Sequence, residues 1–397
     1  MNLENMLKPV LANPAGWRSF ATVMPPKRVG IVTAWAECGM GHIARNWTHT
    51  FNKHPDKVRY SIFSRSNPWL TPMRWHGDKI VDGPESMDID HPVFWDWVEK
   101  FKPEIILFQD QNLYSKSGMK EESARLRKKG IRLINYPDWF LAGMIDKLKD
   151  IYDLNLAHTE RNYRWLKEAG INTVFIRWGV ILAHFKFVQR RAGDKVRFYT
   201  NVGYGSRRKG YHFIPAAIEK MKGGFLRRIL APRKHDFVFA ASLQEEAKEM
   251  INPKFLKYFS KNTNCELIFK TADNTKGGLY SLGDVYIYPT WQEGVGLTIT
   301  EAMASGMPVI TTNYPTMNEW IEDGVEGRLI KVRRLKKGRM TAFTKALVNT
   351  SHLAEILEDY ISHPSLIEEQ SLNARKKVEK CYNWDDRDDE LLKTVIS

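Results

Sequence analysis

Glu293 and Glu301 stand at the two ends of the stretch EGVGLTITE, with only small, apolar and threonine residues between them. The segment before it, DVYIYPTWQ, reads as a buried strand, and AMASGMPVI after it reads as a helix running into another strand. Gly294 and Gly296 let the chain bend and let a ligand come close. A helix starting near Gly296–Leu297 presents free backbone N–H groups and the positive end of its dipole, which suits a phosphate. Glu293 precedes that helix and Glu301 lies one turn inside it, so both can face one ligand from either side of the anion. Carboxylates accept hydrogen bonds from hydroxyls, as on a sugar or a ribose. A phosphate flanked by two hydroxyl-bearing rings describes a nucleotide sugar.

The elements that must position these residues follow a regular order. KRVGIVTAW reads as a first buried strand, ECGMGH as a glycine turn with Gly39 and Gly41, and IARNWTHTFNKH as a helix. Strands follow at VRYSIFS, EIILFQ, IRLINY, LNLAH and TVFIRW, with helical stretches such as HPVFWDWVEKF and MKEESARLRKKG between most of them. A second series starts near Val196 with VRFYTNVG and continues through DFVFAAS, CELIFKT, DVYIYPT and PVITTN. YHFIPAAIEKMKG and LQEEAKEMINPKFLKYFSK are its first helices. Alternation of this kind predicts two doubly wound α/β domains with parallel sheets, joined by a linker near residues 181–195 and separated by a cleft. SHLAEILEDYISH and SLIEEQSLNARKKVEKCY read as surface helices, and NWDDRDDELLKTVIS as a closing amphipathic helix.

Composition bounds the partners. The 397 residues suit two domains, and no run of about 18 apolar residues exists that would span a bilayer. The opening MNLENMLKPVLANPAGW lacks the charged start and continuous apolar run of a secretion signal. Cys38, Cys265 and Cys381 have neither metal-ligand spacing nor a disulfide framework, which predicts a reducing cytoplasm, with a peripheral place at the inner membrane face also open. The net charge is +14, spread over both halves, and favours anionic partners or serves solubility.

The block EGVGLTITEAMASGMPVITTNYPTMNEWIEDGVEGRLI resembles the signature of retaining glycosyltransferases of the GT-B fold, and most closely glycosyltransferase family 4 (glycosyl transferases group 1). The resemblance implies two Rossmann-like domains facing across a cleft: an acceptor domain over residues 1–185 and a nucleotide-sugar donor domain over 186–380. Residues 381–397 would form a helix packing back on the first domain. It also implies that Glu301 holds the ribose hydroxyls, that Glu293 contacts the donor sugar, and that the backbone of Gly294, Val295, Gly296 and Leu297 meets the distal phosphate. NVGYGSRRKGYHF resembles the segment whose two cations grip the diphosphate. Lys209 followed by Gly210 matches its lysine, while the arginine usual after Gly203 is Tyr204, so Arg207 or Arg208 would supply the charge. ECGMGHIAR resembles the glycine turn where Gly39 and Gly41 let backbone approach the donor. The histidine that many members carry after the fifth strand is absent from INYPDWF. Pro137 or Tyr136 takes its place, which leaves Asp138 as the nearest polar candidate. His158 is another, with a satisfied core histidine as its ordinary reading.

The resemblance implies sugar transfer from a nucleoside diphosphate donor with retention, no cofactor beyond that co-substrate, and no essential metal. Lys209, an arginine and the helix N-terminus would neutralise the leaving diphosphate. MDID and FQDQ read as ordinary loop acids rather than metal ligands. Three acceptors remain open: a glycan or lipid-linked glycan at an anionic membrane face; nucleic acid, including modified DNA, held by aromatics such as Trp69, Trp75, Trp95 and Trp97; and a small soluble molecule. KVRRLKKGR reads as a basic loop able to touch any anion. The rivals are an epimerase or phosphorylase of the same architecture and a non-catalytic subunit that binds nucleotide sugar or nucleic acid. Oligomeric state is open.

Overall fold

The computed structural model describes residues 25–141, 143–191, 193–221, 237–243, 249–269, 278–338 and 341–397. Short runs rich in β-branched and aromatic residues, broken by amphipathic segments, form two parallel sheets with helices packed on them. The first sheet uses β1 (Lys27–Thr33), β2 (Val58–Ser64), β3 (Ile80–Asp82), β4 (Ile105–Gln109), β5 (Arg132–Tyr136), β6 (Leu154–Ala157) and β7 (Thr173–Phe175). Its order is β3-β2-β1-β4-β5-β6-β7, parallel throughout. The strand order reverses between β1 and β4, so a crevice opens at their carboxyl ends. Helices α1 (Gly39–Lys53), α2 (Pro92–Phe101), α3 (Lys120–Arg127) and α4 (Glu160–Glu168) belong to this half.

The second sheet uses β8 (Val196–Gly203), β9 (Phe237–Leu243), β10 (Cys265–Phe269), β11 (Val285–Tyr288), β12 (Val309–Thr312) and β13 (Gly327–Ile330). Its order is β10-β9-β8-β11-β12-β13, again parallel, with the reversal between β8 and β11. Its helices are α5 (Phe213–Met221), α6 (Pro253–Lys261), α7 (Leu297–Ala304), α8 (Thr350–Ser362) and α9 (Ser365–Cys381). A final helix, α10 (Asp388–Ile396), returns to pack on α1. There Thr50 Oγ1 donates to Asp388 Oδ1 at 2.6 Å and accepts from Trp384 Nε1 at 3.0 Å. One apolar cluster runs through both halves, from Val29 and Trp47 to Tyr286, Trp320 and Trp384.

The structure departs from the sequence expectations in several places. KVRRLKKGR is not a loop. Its described part is strand β14 (Val332–Lys337), paired antiparallel with β15 (Thr344–Val348) in a two-stranded ribbon. The cations of β14 point into solvent, and a strand exposed along its length carries no apolar alternation to reveal it. Helix α6 begins only at Pro253, because Asn252 caps it by accepting from Lys254 N and proline fits its first turn. Residues 244–248 of the expected helix lie outside the described residues. Helices α8 and α9 are not simply superficial, since each buries a face that includes Leu353, Leu357, Tyr360 and Ile367. Trp95 and Trp97 are buried beside Phe63 and Phe94, so they offer no stacking surface to nucleic acid, whereas Trp69 is exposed.

Candidate active site

A cavity of about 380 Å³ lies between the two sheets. The chain leaves β11 through Pro289 and enters α7 at Leu297, and the turn between them forms one wall. Gly296 caps the helix with φ +86°, a left-handed conformation costly for any residue with a Cβ. The N–H groups of Gly294, Val295, Gly296, Leu297 and Thr298 have no hydrogen-bond partner among the described residues. Five unpaired donors at the positive end of a helix make a preformed anion site.

A buried carboxylate flanks that site on each side. Glu293 Oε1 pairs with the Arg208 guanidinium, and accepts from the Tyr288 hydroxyl and from Thr290 Oγ1 at 3.0 Å. Oε2 has no partner among the described residues. Burial would push the Glu293 carboxyl up, but Arg208, Tyr288 and Lys209 together hold it below its ordinary value. Glu301 accepts from the Tyr280 hydroxyl at 2.5 Å. Burial raises its pKa, and the nearby His42 side chain only partly opposes this.

The cations come from the turn after β8. Arg208 Nη1 also donates to Gln292 O at 2.8 Å, which ties this turn to the start of the acidic one. Lys209 Nζ makes no hydrogen bond or ion pair among the described residues. Burial lowers its pKa to about 8, against the pull of Glu293. Gly203, at φ +56°, passes so close to Lys209 that a Cβ would stand 2.9 Å from Nζ.

The first sheet supplies the facing wall. Gly39 opens α1 opposite the start of α7, with Leu297 Cδ1 3.9 Å from where a Cβ would sit. Asp138, after β5, lies against Gly294, where a Cβ would fall 2.2 Å from Oδ2. Tyr136 donates to Asp138 Oδ1 at 3.1 Å, and Asp110 Oδ1 accepts from the backbone N–H of Asp138 and Trp139 at 2.6 and 3.1 Å. Burial raises both aspartates, and for Asp138 the Arg161 charge opposes the rise.

Of the expected site residues, Glu293, Gly294, Val295, Gly296, Leu297, Glu301, Arg208, Lys209, Gly203, Gly39 and Asp138 all line this cavity. Two do not. Arg207 is exposed outside it, and Gly41 packs against the Ala36 carbonyl, 2.0 Å from where its Cβ would be. His158 is a satisfied core histidine: Nδ1 donates to Ile176 O at 2.6 Å and Nε2 accepts from Trp47 Nε1 at 3.3 Å. Burial accordingly drops its pKa to about 4. In MDID, Asp88 accepts from the backbone N–H of Asp90 and Lys116. Sequence reasoning missed His42, paired with Glu37 at 2.9 Å, although it sits in the quoted ECGMGH. It also missed Arg161, whose contacts lie far along the chain.

The chain is similar to known proteins in part of its sequence and in its fold. The family described as glycosyl transferases group 1 matches residues 185–360. A sucrose synthase from Denitrovibrio acetiphilus is 38% identical over 100 residues, which are 25% of this chain and 11% of that protein. The capsular polysaccharide biosynthesis glycosyltransferase CapM from Staphylococcus aureus is 29% identical over 138 residues, which are 35% of this chain and 32% of that protein. Among solved structures, sucrose-phosphate synthase from Thermosynechococcus elongatus superposes with a TM-score of 0.69 at 14% identity, covering 93% of this chain and 98% of that one. Anabaena Alr3699/HepE in complex with UDP and glucose gives 0.66 at 12% identity, covering 93% and 99%. The chain therefore has the two-domain GT-B fold, and its residues 185–360 match the family described as glycosyl transferases group 1.

Proposed function

We propose that this chain is a retaining glycosyltransferase that moves a sugar from a nucleoside diphosphate sugar to an acceptor hydroxyl. The observation that carries the reading is the row of unpaired amides from Gly294 to Thr298, opposite Arg208 and Lys209 and between two buried carboxylates. In this reading the amides and Lys209 hold the diphosphate, Glu301 takes the ribose hydroxyls, and Glu293 Oε2 takes a donor-sugar hydroxyl. Asp138 stands where the sugar ring would meet the first domain. The bond between the anomeric carbon and the diphosphate oxygen breaks as the acceptor oxygen bonds on the same face. The departing phosphate takes the acceptor proton, so no protein nucleophile is required. Charge growing on the diphosphate meets fixed donors that need no reorganisation. Their number supports a reaction without an essential metal ion.

Residues 1–185 would hold the acceptor, residues 186–380 the donor, and residues 381–397 would tie the two. A glycan or lipid-linked glycan at an anionic surface fits best, because Arg333, Arg334, Lys336 and Lys337 lie exposed along β14. The nucleic-acid reading loses two of its four tryptophans to the core. The test is thermal shift with UDP-, GDP-, ADP- and TDP-sugars, then slow donor hydrolysis by the chain and by Glu293→Ala. UDP-glucose comes first, since Anabaena Alr3699/HepE was solved in complex with it. A shift with one donor, with hydrolysis lost in the variant, supports the reading. No shift with any of the four overturns it.

A further inference from the structure

The anion site belongs to the second domain, yet the first domain holds it in shape. Arg161, in the first turn of α4, reaches across the cleft. Its Nη1 donates to Glu293 O at 2.8 Å and its Nη2 to Gly294 O at 3.1 Å. The next carbonyl, Val295 O, accepts from Trp320 Nε1 at 2.8 Å. Three consecutive carbonyls are therefore held from behind. In a trans peptide the C=O and the following N–H point in opposite directions. Fixing the carbonyls of Glu293, Gly294 and Val295 turns the amides of Gly294, Val295 and Gly296 the other way, and these are among the unpaired donors that line the cavity.

Arg161 is itself held rigidly. Its Nε and Nη2 donate to Asn162 Oδ1 at 3.1 and 3.0 Å. Phe343, from the ribbon, and Trp165 lie near its guanidinium at 4.4 and 5.1 Å. Both oxygens of Glu319, from the second domain, accept from the backbone N–H of Glu160 and Arg161 at 2.7 and 3.0 Å. A buried guanidinium with four of its five N–H groups bonded and aromatic rings beside it loses little freedom when the cleft fills. Free glycine-rich loops, by contrast, must be ordered by the ligand at a cost in affinity.

We propose that Arg161 is a positioning residue for the distal phosphate: it presets the Glu293–Gly294 and Gly294–Val295 peptides, so that the donor domain's anion site is complete only while the first domain is docked on it. The inference rests on the nucleotide-sugar reading, and it deepens it by assigning a first-domain residue to diphosphate binding. The guanidinium touches no substrate atom and acts through the peptides.

The test compares nucleoside diphosphate with monophosphate. UDP, GDP, ADP and TDP are titrated against the wild-type chain, and the tightest is paired with its own monophosphate. Arg161→Lys and Arg161→Met are then measured, and cooperative thermal unfolding establishes that each variant is folded. Lysine keeps the charge but cannot bridge two carbonyls. The expected result is a loss of diphosphate affinity of about tenfold or more in both variants, with monophosphate affinity unchanged within about twofold. Steady-state assays should show the same split, with KM for the donor rising while KM for the acceptor is unchanged. Equal losses for both nucleotides, or unchanged diphosphate affinity in a folded variant, overturn the proposal. If Arg161→Met does not fold, Arg161→Lys alone decides. Failure of the wild-type chain to bind any of the four would overturn the nucleotide-sugar reading instead, before any variant is compared.

Discussion

At the residue scale, the site sets Glu293, which its neighbouring cations hold below its ordinary pKa, beside a lysine whose pKa burial lowers to about 8. Glu293→Gln keeps the shape of the side chain but removes the ion pair with Arg208. It should lower kcat/KM by about 10- to 100-fold, the value of a charged hydrogen bond of about 1.5–3 kcal/mol, as read by steady-state transfer or donor hydrolysis. Lys209 carries a pH signature. Its folded-state pKa, about 8, lies below its ordinary 10.5. Between those values the unfolded chain binds more protons, so the destabilisation due to this lysine fades as pH rises through that window. Ligand binding runs the opposite way, because a diphosphate favours the protonated form. Diphosphate affinity should therefore fall above pH 8, by up to about tenfold per unit. Lys209→Met should bind more weakly and lose this dependence. Calorimetric titration between pH 7 and 9.5 distinguishes the two, and a wild-type profile that stays flat contradicts the assignment. The row from Glu293 to Leu297 was legible in the sequence because a strand, a glycine turn and a helix start are local signals. Arg161 and Trp320 were not legible. They meet that turn only through the fold, and an arginine in an amphipathic helix looks like any solvated cation until its neighbours are known.

At the element scale, the two glycines of the turn act differently. Gly296 needs its positive φ, so Gly296→Ala should cost about 1–2 kcal/mol of stability and misplace the start of α7. Gly294 needs closeness rather than an unusual φ, since Asp138 fills the space a methyl would take. Gly294→Ala should therefore impair nucleotide binding, and adding Asp138→Ala should restore part of it. Titration of both single variants and the double variant checks this. If losses simply add, the two residues do not share that space. The alternation of strands and helices was readable because each period is strong over a whole element. Strand β3 is only three residues long, and β14 faces water along its length, so neither had a period to detect.

At the scale of the molecule, the two halves are joined by more than their linker. Glu319 of the second half accepts from the backbone N–H of Glu160 and Arg161 of the first at 2.7 and 3.0 Å. Beyond α9 the chain crosses back, burying Trp384, Leu391, Leu392 and Val395. Each such side chain contributes roughly 1.5–3 kcal/mol, and the four together rival the stability of an ordinary domain. Removing residues 382–397 should therefore abolish cooperative thermal unfolding rather than merely lower Tm, as differential scanning calorimetry would show. A second whole-molecule expectation concerns metals: transfer should survive excess EDTA, and a complete loss reversed by added Mg²⁺ or Mn²⁺ would contradict the proposed role of the amides and Lys209.

The ribbon adds a mechanical consequence. It is rooted beside Trp291, where Ala346 N donates to Trp291 O at 2.9 Å, and its far end wedges Phe343 among Trp139, Phe140 and Trp165 of the opposite half. Swinging the halves apart means dragging that ring into water, at roughly 2 kcal/mol. Any widening of the cleft on that side must first draw this ring out from between its three aromatic neighbours.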